Sequence, residues 1–84
     1  MYRVLLERSV ERDLRRLSSQ VHQRVIAALQ GLAVNPRPPG CRKLAGSSND
    51  WRIRVGDYRV VYEIADDVRE VRVNRVRHRR EAYR

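Results

Sequence analysis

The chain has 84 residues, with 19 Lys and Arg against 10 Asp and Glu, for a formal net charge of +9. That length fits one small domain with little room for an enclosed pocket, and its 42% of hydrophobic residues recur periodically, so the chain is folded and basic, not disordered. One cysteine, Cys41, excludes an internal disulfide, and with no zinc-ligand spacing and no membrane-length apolar run, a cytoplasmic protein without metal or cofactor is expected.

The first expected element is a strand in the apolar run Tyr2 to Leu6. Ser9 then offers an N-cap for a helix carrying Val10, Leu14 and Leu17 on one face. Glu11 and Asp13 fall in its first turn and Arg15 and Arg16 near its end, the charge order a helix dipole favours. Ser18 or Ser19 caps a second helix with Val21, Val25, Ala28, Leu29 and Leu32 as its stripe, stopped by Asn35 and Pro36. The two helices are expected to form a hairpin. Pro36 to Gly40 is an irregular link, and after Leu44 the hydrophobic period changes from helical to strand-like.

Trp51 to Val55, Tyr58 to Ile64 and Val68 to Val76 read as three strands of a meander, turned at Gly56-Asp57 and Asp66-Asp67. With Gly56 and Asp57 as the loop, Val55 pairs with Tyr58, Arg54 with Arg59, Ile53 with Val60, Arg52 with Val61 and Trp51 with Tyr62. Continuing through the second turn puts Ile64 opposite Arg69, Tyr62 opposite Val71 and Val60 opposite Val73. One face is then apolar throughout and must be covered by the helices. Residues 1–84 thus read as a single α+β domain of order β-α-α-β-β-β, with the helical hairpin packed on one face of the sheet.

The opposite face carries Arg52, Arg54, Arg59 and Arg72, with Glu63 and Glu70 farther along. Placing Arg54 opposite Arg59 costs roughly 0.2–1 kcal/mol of sheet stability. Such a face is either a solvated, mixed-charge surface or a platform on which guanidinium groups grip phosphate. After position 70, Arg72, Arg75, Arg77, Arg79, Arg80 and Arg84 are opposed only by Glu81, with His78 and Tyr83 interleaved. A basic tail with an aromatic suits RNA, since a base stacks on the ring while arginines hold the backbone.

Three motifs, Lys43-Leu44-Ala45-Gly46, Trp51-Arg52-Ile53-Arg54-Val55-Gly56-Asp57-Tyr58-Arg59-Val60-Val61-Tyr62 and His78-Arg79-Arg80-Glu81-Ala82-Tyr83, together resemble the RelE/ParE superfamily of bacterial toxins, in its RelE-like branch. The resemblance implies helices on a small curved, mainly antiparallel sheet. It implies the toxin of a type II toxin–antitoxin system, a metal-independent endoribonuclease (mRNA interferase) that cuts messenger RNA in the ribosomal A site. A ribose 2′-hydroxyl attacks the adjacent phosphate, leaving a 2′,3′-cyclic phosphate and a 5′-hydroxyl. The catalytic residues it implies are Arg52, Arg54, Arg59, Arg79 and Tyr83, with Lys43, Arg72, Arg77 and Arg80 binding RNA. The family's usual first-strand lysines are arginines here, which stay protonated and suit charge stabilisation better than proton removal. Histidine ordinarily titrates near neutrality, so His78 is the proton-transfer candidate. The expected partners are an acidic RelB-like antitoxin, the ribosome with its mRNA, and operator DNA for the toxin–antitoxin complex. The alternatives are a ParE-like inhibitor of DNA gyrase that acts by binding, and a basic nucleic-acid-binding module without chemistry.

Overall fold

The computed structural model describes residues 1–47 and 49–82. Its elements are β1 (Arg3–Leu6), α1 (Arg8–Arg15), α2 (Ser19–Val34), β2 (Arg42–Lys43), β3 (Asp50–Val55), β4 (Tyr58–Ala65), β5 (Glu70–His78) and α3 (Arg79–Ala82). The expected order is present, with a two-residue strand added before the meander and one helical turn after it. The sheet runs β1-β5-β4-β3-β2, with β1 parallel to β5 and every other pair antiparallel. Val10 and Leu14 of α1 and Val25, Leu29 and Leu32 of α2 pack on Ile53, Val60, Tyr62, Ile64, Val71, Val73 and Val76. The apolar stripes of both helices therefore close on one face of the sheet and leave the arginine face open.

The β3–β4 register is the expected one, pair for pair. Gly56 sits at φ +60, as the first residue of a two-residue hairpin turn demands, and a Cβ there would approach Arg24 Nη1 to 3.2 Å. The β4–β5 register differs by two residues at its start: Ile64 pairs with Val71, not Arg69, and Tyr62 with Val73, not Val71. Four residues, Asp66 to Arg69, make the turn, closed by Arg69 in the left-handed region at φ +53. A second departure follows. Tyr62 pairs with Val73 but Val61 pairs with Arg75, so Asn74 is the extra residue of a β-bulge. The bulge reverses the alternation of β5, and Val76 joins the core while Arg75 and Arg77 fall on the arginine face.

Helix α1 holds that bulge from the edge where β1 stops. Ser9 is not the N-cap, which is Glu7; its Oγ donates to the Asn74 carbonyl at 2.8 Å. Asp13 is not a surface residue serving the helix dipole. It is 8% exposed and accepts the Val76 N–H at 2.9 Å, with Arg75 Nε at an ion-pair distance of 3.4 Å. A helix side chain thus satisfies a strand amide that has no neighbouring strand to bond. Helix α2 behaves as read, with Ser18 capping the Val21 N–H at 3.4 Å and Asn35 at its end.

At the far end of the sheet, Asp66 accepts the Tyr2 hydroxyl at 2.6 Å and both Arg37 Nη groups at 3.2 and 2.8 Å. Arg37 also lies 5.1 Å from the Trp51 ring centroid, so this cluster ties the link after α2 to the meander. The Arg37 and Tyr2 hydrogen bonds hold the Asp66 carboxyl down at about 2. A lowered folded-state value contributes stability above the ordinary carboxylate range and loses it as pH falls toward 2. Melting of the chain and of Asp66→Asn should therefore differ at neutral pH and converge in acid; a constant difference would exclude the linkage.

Candidate nucleic-acid interface

The arginine face divides by charge compensation. Arg72 pairs with Glu7 at 3.7 Å and lies opposite Glu63, and Arg75 pairs with Asp13. Among the described residues, Arg42, Arg52, Arg54, Arg77, Arg79 and Arg80 make no ion pair. Those six gather around β3 and the β3–β4 turn. Arg54, Arg59 and Arg77 are direct cross-strand neighbours in one row, a like-charge arrangement that costs stability. The Arg77 Nε is buried without a hydrogen-bond partner.

An open cleft of about 210 Å³ lies at this end, lined by Arg54, Gly56, Asp57, Tyr58, Arg59, Arg79 and Arg80. The Arg79 N–H donates to the Asp57 carbonyl at 2.7 Å, which fixes the start of α3 on the turn and brings Arg79 and Arg80 to Arg54 and Arg59, far earlier in the chain. Four cationic side chains thus surround a space open to solvent, suited to a phosphate and its neighbours. Asp57 is the one carboxylate among its described lining residues.

The residues expected at the site separate into three groups. Arg54, Arg59, Arg79 and Arg80 line the cleft, with Arg77 beside Arg59. Arg52 does not line it; with Gly40, Arg42 and Arg54 it borders a second depression of about 450 Å³ at the β2 edge. Lys43, Arg72 and His78 are not brought to the cleft. Lys43 is in register with Trp51, on the side of the helices, and Arg72 is at the neutralised end. His78 is in register with Tyr58, again on the helix side, with the two rings edge to face at 5.2 Å and Nδ1 accepting the Arg80 N–H at 3.2 Å. Tyr83 lies outside the described residues.

Sequence reasoning missed Arg42, Asp57 and Tyr58. Asp57 was visible as a turn residue and Tyr58 as the first residue of the next strand, both between Arg54 and Arg59, whereas Arg42 gains its place only from the register with Arg52. No group of three or more His, Cys, Asp or Glu among the described residues is arranged to hold a metal ion. No described helix is long and apolar enough to cross a membrane.

Residues 4–83 match the family model of the ParE toxin of type II toxin–antitoxin systems, parDE. The fold is similar to solved toxins at 26% sequence identity. RelE in the archaeal RelE–RelB complex from Pyrococcus horikoshii OT3 superposes with a TM-score of 0.84, covering 93% of this chain and 94% of that one. The RelBE2 toxin–antitoxin complex of Mycobacterium tuberculosis gives 0.81, with 92% and 96% covered. The intact Escherichia coli RelBE complex gives 0.78, with 90% and 94% covered. No curated protein matches the sequence.

Proposed function

The chain belongs to the ParE toxin family of type II toxin–antitoxin systems, within the RelE/ParE superfamily, and from that premise we propose that it is a ribosome-dependent endoribonuclease. The observation that carries this reading is the convergence of Arg54, Arg59, Arg79 and Arg80 around the turn cleft with Arg77 beside them, a row of cross-strand arginines facing an open space. Holding like charges side by side costs stability unless a polyanion occupies the space.

In the proposed reaction the 2′-oxygen loses its proton and bonds to the adjacent phosphorus, the bond from phosphorus to the 5′-oxygen breaks, and that oxygen takes up a proton. The products are a 2′,3′-cyclic phosphate and a 5′-hydroxyl. Arg54, Arg59 and Arg77 stabilise the charge that gathers on the phosphorane, and Arg79 the leaving oxygen. Tyr83 is proposed to stack on a base beside the cut. Asp57 lines the cleft and is the group we assign to proton removal; His78 reaches it only through Tyr58 and Arg80. Asp57→Asn should therefore lower the cleavage rate by about 100-fold or more and His78→Ala by less than about tenfold. The reverse ranking in single-turnover assays would move proton transfer to His78.

The antitoxins in the solved complexes support an antitoxin partner here. It would bring acidic and apolar segments to the arginines and order on binding. Inhibition of DNA gyrase by binding alone is the second reading, favoured by the ParE model that the chain matches. Expressing the chain and mapping transcript ends with and without translating ribosomes separates the two. Cuts phased with codons support cleavage; intact transcripts with blocked supercoiling support the second reading.

A further inference from the structure

We infer that Arg42 and Arg52 form a second phosphate subsite, which holds the RNA phosphate next to the one that reacts. The two arginines are cross-strand partners at the sheet's β2 edge and border the depression of about 450 Å³ with Gly40 and Arg54. Neither makes an ion pair, in contrast to Arg72 and Arg75 on the same face. Arg54 lines both this depression and the turn cleft, so the two spaces adjoin at one arginine.

The spacing supports two phosphates rather than one. Arg52 and Arg54 are two residues apart on β3 and point to the same side, so their Cα atoms are roughly 7 Å apart. That is the order of separation of neighbouring phosphates along an extended strand. The RNA backbone then runs along β3, with the reacting phosphate at the turn and the neighbouring one at the edge. Gly40, at φ +89, shapes the wall of the depression, and no carboxylate lines it among the described residues. Arg52 becomes a binding residue in this arrangement, and Arg42 extends the site onto a strand that the sequence reading did not include. The inference rests on the RNA reading of the cleft.

The test uses the full chain and a short single-stranded RNA, with affinity read by fluorescence anisotropy across a salt series, in parallel with cleavage on programmed ribosomes. Arg42→Gln should bind about tenfold more weakly and lower the slope of log affinity against log salt by about 0.7. In RNAs carrying one uncharged methylphosphonate, a single linkage should weaken the unmutated chain by a similar factor and Arg42→Gln no further, because the two changes remove one contact. Unchanged affinity in Arg42→Gln, or equal weakening by every linkage in both chains, overturns the subsite, as does failure of the unmutated chain to bind RNA. Binding that depends on Arg42 without ribosomal cleavage keeps the subsite and removes the cleavage reading. Cleavage with Arg42-independent affinity does the opposite.

Discussion

Arg59→Ala is expected to slow mRNA cleavage by about 100- to 1000-fold, the usual loss when one preorganised donor to a developing anion is removed. Arg59 is the middle member of the Arg54–Arg59–Arg77 row and also lines the turn cleft, so it is placed to touch a phosphate from the floor while its neighbours reach it from either side. Removing it takes away positive charge where negative charge forms and leaves the core on the other face intact. Arg59→Lys should recover part of the rate, since it restores the charge but not the planar fork that grips two phosphate oxygens. Single-turnover rates on programmed ribosomes, with melting curves to show that the variants remain folded, provide the check. A rate within tenfold of the unmutated chain would remove Arg59 from the reaction.

Asp13→Ala should cost about 2–3 kcal/mol of stability, mainly because the buried Val76 N–H loses its acceptor. For a domain of this size that corresponds to a fall in melting temperature of roughly 10–20 °C. Arg75 is about two-fifths exposed, and water screens its pairing with Asp13, so the ion pair adds little to that total. Asp13→Asn keeps an oxygen for the Val76 amide and should lose about half as much. If Asp13→Ala melts within a few degrees of the unmutated chain, Asp13 does not hold the bulge. The consequence reaches the cleft, since the bulge decides that Arg77 lies beside Arg59 and not in the core.

The fold was legible where its signals are local. The Gly56-Asp57 turn and the alternation on either side gave five of the six pairs of β3 with β4, all but Asp50 with Glu63. The stripe of α2 and its Ser18 cap were equally plain, because both recur within a few residues. The β4–β5 register was not, because its turn is closed by an arginine at positive φ, a conformation that no residue type signals there. The bulge had a signal: valines at 71, 73 and 76 change spacing from two to three around Asn74 and Arg75. Ser9 and Asp13 look like ordinary helix-start residues, and their actual partners are 65 and 63 positions away, beyond the reach of local pattern.

The site was half legible for the same reason. Arg54 and Arg59 followed from the hairpin, and Arg79 and Arg80 from the basic C-terminal stretch. Parity removed Lys43 and His78 to the helix side, since Lys43 pairs with Trp51 and His78 with Tyr58. It also brought in Arg42, whose two-residue strand is too short to show alternation. Charge compensation depends on the tertiary fold: Arg72 and Arg75 have carboxylate partners, whereas Arg54, Arg79 and Arg80 at the cleft make no ion pair among the described residues.

The most direct test of the cleavage reading is end chemistry on mRNA held in the A site of purified ribosomes, with gyrase supercoiling measured on the same preparation. The reading predicts one cut at the A-site codon, a 2′,3′-cyclic phosphate on one fragment and a 5′-hydroxyl on the other, no cut without ribosomes, and undisturbed supercoiling. Intact mRNA together with inhibited supercoiling would contradict it.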